Sequence, residues 1–239
     1  MASKAVPNDA ELRAGHRQRL RARFLESPSS LPDSDLLELA LGHVYVRRDN
    51  KMTARRLLAR FGSLAAVLAA TPDELDEVPG CGPSLLPFFT LLREIIARSV
   101  QSEVQGKQAV TFDDLLVMGR ERLKFAALEE VWVALLDKQN RLLKFMKIRH
   151  GSFDHVALEP RELVEIMIQG RASSVVLMHN HPGGSYRPSI EDRQFTGRIS
   201  TALKALDLHL HDHVIITPEA CFSIVRDRRL EMPTKMRNV

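Results

Sequence analysis

Residues 173–178, SSVVLM, constrain this chain more than any other stretch. A short apolar run that ends at His179, Asn180 and His181 and is closed by Pro182, Gly183 and Gly184 reads as a buried strand. Residues 131–136 are a second dense apolar run, bounded by Glu129, Glu130 and Asp137. The turn DKQN at 137–140 leads into another strand at 142–148. Pro160 opens a helix through 168, and an amphipathic helix spans 189–206 with Ile190, Phe195, Ile199, Leu203 and Leu206 inward. Strands follow at 208–217 and 222–225, and a short helix at 112–124 precedes the first strand. The order strand, strand, helix, strand, helix, strand, strand predicts an α/β domain with a mixed sheet over residues 110–230.

Residues 10–100 have a different character. Leu, Ala and Arg dominate, with helical spacing at Leu36, Leu37, Leu39 and Ala40 and again at Leu57, Leu58 and Phe61. Turns fall at 27–35, 61–63 and 71–74, and Thr71 is placed to cap a helix opened by Pro72. Residues 75–86, LDEVPGCGPSLL, read as helix, tight Gly80-x-Gly82 turn, helix. The pattern resembles the helix-hairpin-helix, whose turn amides and following helix N-terminus meet a phosphate without reading sequence. An ordinary helix corner used for packing has the same pattern, and Leu86 stands where the hairpin usually has a small residue. Polar residues 101–109, with Gly106, predict a linker between the helical domain and the α/β domain.

No apolar run approaches the length of a bilayer span, and the N-terminus lacks the apolar core of a secretory signal. A cytoplasmic protein without membrane contact is expected. Two cysteines, Cys81 and Cys221, imply no disulfide framework. A single Trp argues against a stacking platform for single-stranded nucleic acid. The formal charge of +4 is compatible with nucleic acid without demanding it. Arg13, Arg17, Arg19, Arg21 and Arg23 form one cationic cluster, and Arg47, Arg48, Lys51, Arg55, Arg56 and Arg60 a second. Each is either a phosphate-facing surface or a solvated helix face.

The chemistry concentrates after the buried strand. His179 and His181 are two apart, so at a strand end both imidazoles can face one ion. Seven residues intervene before Ser189 and two more before Asp192, which would arrive from the first turn of the next helix. His179, His181 and Asp192 make a three-ligand zinc set with a fourth position left for water, whose pKa zinc lowers toward roughly 7. A general base is also required, and Glu129, at the start of strand 131–136, is the choice, with Glu130 as competitor. Ser189 is placed to donate to a developing oxyanion. Ser189 and Asp192 equally fit a capping box, a geometry compatible with metal binding because it fixes the carboxylate. His209, His211 and His213 alternate onto one strand face, and Asp212 lies between the last two in sequence. They make a second metal site, a face of partly exposed histidines, or, for His213 and Asp212, support that fixes the tautomer of a ligand imidazole.

The spacing His179-x-His181, seven residues, Ser189, two residues, Asp192 is identified as the JAMM/MPN metalloprotease signature. HNHPGG, DKQNRLL, EPRELVE and DHVII, with GHRQRLRARF, DLLELAL, RRDNK, LLARFGSL and EVPGCG in the helical half, look like the bacterial RadC family over about residues 15–228. The resemblance implies an MPN-type α/β domain after a helix-hairpin-helix region. It implies His179, His181 and Asp192 as zinc ligands, Ser189 on the oxyanion side, and a catalytic Glu on an early strand, where Glu129 in EEVWVALLD matches best. One departure lies in HNHPGGSYRPS. RadC sequences usually carry Ser-Gly after the Pro and then an acidic residue, where this chain has Gly183, Gly184, Ser185, Tyr186 and Arg187.

Two functions compete. One is a zinc-dependent hydrolase acting on an amide bond of a protein or peptide, delivered to DNA by the helical half. The other is a DNA-associated binding protein, related to repair or recombination, whose metal is structural or vestigial. The helical half also suits dimerisation or a protein partner.

Overall fold

The computed structural model describes residues 9–150 and 158–231. The chain divides into two compact units, Met1–Leu92 and Arg93–Val239.

The first unit is helical: α1 (Asp9–Glu26), a 3-10 turn (Pro28–Ser30), α2 (Asp33–Val44), α3 (Lys51–Phe61), α4 (Leu64–Ala69), α5 (Pro72–Asp76) and the start of α6 (Leu85–Gln105). Leu37 and Leu41 of α2, Ala54 and Leu57 of α3, Val67, Leu75, Leu85 and Phe89 bury their side chains together. The apolar spacing of these helices is the spacing of that core. Thr71 caps α5 through a complete capping box with Glu74, and Pro72 takes the first helical position. Between α5 and α6 the turn needs glycine at position 80. Gly80 has a φ of +102°, and a Cβ there would collide with Thr53 Oγ1.

The linker expected at 101–109 is in large part helix. Residues 101–105 close α6, and Val104 is buried in the same core as Val110 and Leu115. The polar residues there are the solvent face of an amphipathic helix, whose apolar positions the composition diluted.

The second unit continues with α7 (Phe112–Leu123), β1 (Glu130–Leu136), β2 (Leu142–His150), α8 (Pro160–Gln169), β3 (Ser174–Asn180), α9 (Ile190–Lys204), β4 (His209–Ile216), β5 (Cys221–Ser223) and β6 (Arg228–Leu230). The six strands form one mixed sheet in the order β2-β1-β3-β4-β5-β6. β3 and β4 are parallel, joined through α9, and every other pairing is antiparallel. β3 is buried at all seven positions. Its even-numbered residues Val176 and Met178 pack with α7, and its odd-numbered residues Val175 and Leu177 pack with α8 and α9. The α/β fold with a mixed sheet is the expected one, with β6 added. On α9, Phe195, Ile199 and Leu203 are buried, whereas Ile190 and Leu206 are 69% and 52% exposed, contrary to expectation. Ile190 is the first helical residue and Leu206 lies beyond the last, so neither shares the buried stripe.

Candidate metal centre

β3 ends at the site, and its register with β1 determines what faces it. Val131 pairs with His179 across the antiparallel ladder, so two residues further out Glu129 stands opposite His181. Opposed residues share a face, here the face covered by α8 and α9. Glu129 Oε1 lies 3.7 Å from His181 Nε2. Glu130 alternates to the other face, where Trp132 Nε1 donates to it at 2.7 Å and Lys147 Nζ at 3.2 Å. The structure therefore brings Glu129, and not Glu130, to the histidines.

Asp192 comes from the first turn of α9 and is buried. Ser189 N and Ser189 Oγ both donate to its Oδ2 at 2.8 Å, and Asp192 N donates back to Ser189 Oγ at 3.0 Å. The capping box is complete. The same carboxylate places Oδ1 3.2 Å from His179 Nε2 and Oδ2 3.5 Å from His181 Nε2. Cap and site are thus one arrangement. Burial alone would raise the Asp192 pKa, but the two neighbouring imidazoles and the Ser189 hydroxyl outweigh it and hold the carboxyl well below its usual range.

The two imidazoles meet at Nε2, 3.0 Å apart. His181 Nδ1 lies 2.7 Å from the Ser185 carbonyl oxygen, which can only accept. Nδ1 therefore carries the proton, and a neutral ring turns a bare Nε2 toward His179, Asp192 and Glu129. Lone pairs and carboxylates at these distances repel unless a cation lies among them. Ligands at about 2.0–2.1 Å from one tetrahedral ion are separated by roughly 3.3 Å. The separations of 3.0, 3.2 and 3.5 Å among His179, His181 and Asp192 bracket that value, so these two imidazoles and this carboxylate fit one divalent cation. Glu129, His179 and His181 by themselves make a possible metal-binding triad, with donor atoms within 4.8 Å of one another. Without an ion, a proton must relieve the repulsion. Burial lowers the His181 pKa, yet hydrogen bonding to Asp192 and Ser185 raises it above its ordinary value.

The histidines of β4 do not share one face. β4 gains a residue against β3 between Leu210 and Asp212, a bulge at His211 that breaks the alternation. His209 and His211 pack against each other on the outside, with ring centroids 4.8 Å apart. His213 is fully buried, its Nε2 2.8 Å from His179 Nδ1. Burial, followed by the neighbouring His179, pushes the His213 pKa well below the ordinary imidazole value. Asp212 does not reach the site. It pairs with Val176 in register, accepts from Ser223 Oγ at 2.7 Å and from His213 N at 2.8 Å, and faces Arg226 at 3.4 Å.

Four residues around the site were not signalled by motif spacing. The Ser185 carbonyl orients His181, and Tyr186 fastens that loop by stacking on Phe222. Thr196 bonds His213. Asn180, between the two histidines, accepts from Glu130 N at 2.8 Å and donates to the carbonyls of Ala126 and Leu128 at 3.2 and 3.0 Å. It grips the backbone on both sides of Glu129. A buried Asn at a strand end was visible in the sequence, but its partners lie some fifty residues away.

In the first unit the Gly80-x-Gly82 turn is internally satisfied. Gly82 N donates to Tyr45 Oη at 2.7 Å, while the guanidinia of Arg48 and Arg56 bond the carbonyls of Gly80 and Pro79 at 2.6 and 3.1 Å. No helix in the described residues is long and apolar enough to cross a membrane.

Comparison with known proteins places this geometry in a family. Residues 110–230 match the RadC-like JAB domain, the segment that holds the whole sheet and the candidate metal centre. A UPF0758 protein of Ruegeria pomeroyi is 37% identical over 203 residues, which cover 84% of this chain and 91% of that protein. The chain belongs to the RadC family.

Proposed function

We propose that this RadC-family protein is a zinc-dependent hydrolase that attacks an amide bond of a protein or peptide. The observation that carries the reading is the convergence of two imidazole Nε2 atoms and a buried carboxylate within 3.0–3.5 Å, with Glu129 beside them. His179, His181 and Asp192 would hold the ion. Asp192 lies 3.2 and 3.5 Å from the two imidazoles and is 2% exposed, whereas Glu129 lies 3.7 Å from His181 and is 19% exposed. The nitrogen and oxygen donors suit zinc. When bound, zinc supplies water activated toward hydroxide at neutral pH.

The residues of this chain do the rest. Glu129 Oε1 takes the proton of the attacking water and returns it to the leaving nitrogen. Ser189 Oγ directs its only proton at Asp192 Oδ2, so stabilising an oxyanion requires that bond to be exchanged for one to substrate. Elemental analysis tests the site: about one zinc per chain in wild type, and little in His179→Ala. Glu129→Gln should keep its zinc and lose hydrolysis. A wild-type protein that stays metal-free when zinc is supplied refutes the reading.

A second reading concerns the helical unit. The guanidinia of Arg48 and Arg56 are fixed on the turn between α5 and α6, which favours DNA association through side-chain charge. The Gly82 amide, already bonded to Tyr45, contributes nothing to a phosphate. Binding should be sequence-independent and fall steeply with salt. Arg48→Ala with Arg56→Ala should weaken it, and unchanged affinity in fluorescence anisotropy counts against the reading.

A further inference from the structure

The proton arrangement behind His179 is determined by residues that touch no ion. Thr196 lies four residues after Asp192 on α9, so one helix face carries both. Thr196 Oγ1 is 2.6 Å from the Asp192 backbone carbonyl and 2.7 Å from His213 Nδ1. The carbonyl can only accept, so the single hydroxyl proton goes to it. Thr196 Oγ1 must then accept from His213 Nδ1–H. Fully buried, with a hydroxyl and an imidazole at its two ring nitrogens, His213 has nothing there to stabilise a second proton, so its Nε2 is bare and accepts from His179 Nδ1–H at 2.8 Å. That leaves His179 Nε2 unprotonated, aimed at His181 and Asp192. Reversing the chain would bring two lone-pair oxygens, Thr196 Oγ1 and the Asp192 carbonyl, to 2.6 Å with no proton between them. His179 and His213 are fully buried and Thr196 is 7% exposed, so bulk water does not substitute in the chain. The edge of the Phe195 ring packs against His213 and holds its plane.

We propose that Thr196, acting through His213, holds His179 in the tautomer with its proton on Nδ1 and so presents a bare Nε2 to the metal site. Thr196 and His213 are positioning residues. The proposal deepens the metal-centre reading and rests on it for its purpose. α9 then serves the site twice: the Asp192 carboxylate faces the ion, and the carbonyl of the same residue anchors the proton chain that orients the opposing ligand.

The test is two-bond 1H–15N correlation NMR of full-length protein labelled at histidine, metal-free and zinc-loaded. In wild type His213 should show its proton on Nδ1 in both states. In Thr196→Val, His213 should shift its proton to Nε2, and zinc affinity should fall roughly 10–100-fold. Thr196→Ser should restore both. A wild-type His213 protonated on Nε2 overturns the proposal, as does a Thr196→Val protein with unchanged tautomer and affinity. If Thr196→Val does not fold, the wild-type and Thr196→Ser spectra decide. If wild type takes up no zinc, the hydrolase reading falls, and the metal-free spectrum still decides the proton chain.

Discussion

Asp192 is the third residue of a helix cap and the proposed acidic ligand of the candidate metal centre, and two substitutions separate the roles. Asp192→Asn preserves shape. The amide oxygen still accepts from Ser189 N and Oγ, and the amide N–H can donate to an imidazole Nε2 that the carboxylate faces at 3.2 Å. The folding cost in metal-free protein is therefore small, about 0.5–1 kcal/mol for the lost charge at the helix N-terminus. The cost in metal binding is large. Structural zinc sites bind with about 10–16 kcal/mol shared among four ligands, so one ligand is worth about 3 kcal/mol, or roughly a hundredfold in affinity. Ser189→Ala does the reverse: it removes the side-chain cap at about 1 kcal/mol and leaves every proposed ligand in place.

The assay is thermal denaturation of full-length protein with and without zinc. At free zinc of about 100 times the wild-type Kd, wild type gains about 2.7 kcal/mol, while a Kd a hundredfold weaker leaves about 0.4 kcal/mol. At roughly 3 °C per kcal/mol for a unit of this size, the zinc-dependent shift is about 8 °C in wild type and about 1 °C in Asp192→Asn. Ser189→Ala should melt lower without zinc yet keep most of the shift. Equal shifts in wild type and Asp192→Asn would refute the reasoning and leave Asp192 as a cap alone.

Three further outcomes follow from packing and charge elsewhere. Burial raises the Cys221 thiol to about 11 against the opposing pull of Arg120, so maleimide should label Cys81 in the native protein and Cys221 only after unfolding, as read by mass spectrometry. Burial alone would raise the Asp114 pKa, but bonds from Lys107 and Thr111 take it below the ordinary 3.8. The folded value is the depressed one, so the stability Asp114 contributes is present above pH 3.8 and lost as pH falls through the folded pKa. Urea melts should show Asp114→Asn about 1 kcal/mol less stable at neutral pH, with the gap closing in acid below pH 3.8. Gly119 on α7 lies under β3, and a Cβ there would collide with Met178 Sδ. Gly119→Ala should cost about 1–3 kcal/mol in urea denaturation and reduce zinc affinity, because Met178 precedes His179.

How far the sequence reveals the site depends on how local each contact is. β3 was legible because a strand covered on both faces has no polar positions to confuse the pattern, whereas β6, three residues reading RRL, carries no such signal. His179, His181 and Asp192 lie within fourteen residues on one strand–loop–helix connection, so spacing alone announces them. Glu129 is different. Alternation puts Glu129 on the side of Val131 and Val133 and makes it the choice over Glu130, but the partner it meets follows only from the pairing of Val131 with His179. The β4 histidines show the opposite failure, since alternation read from sequence assumes an unbroken ladder and the bulge at His211 breaks it. Cationic clusters are legible as counts but not as uses: Arg48 and Arg56 hold turn carbonyls, Arg23 pairs with Asp35 and Arg60 with Glu77.

The coincidence of cap and ligand at Asp192 has a physical basis. A carboxylate that must wait among imidazoles for an ion needs donors that hold it in place beforehand. The first turn of a helix supplies unpaired N–H groups, and a cap residue whose backbone N–H and hydroxyl complete the clamp. The apparent conflict between the capping-box reading and the metal reading is therefore no conflict. Ser189 fixes the carboxylate from one side, and Asn180 holds the backbone of Leu128 and Glu130, on either side of Glu129, from the other. An arrangement so preorganised would lose little further entropy on binding a cation.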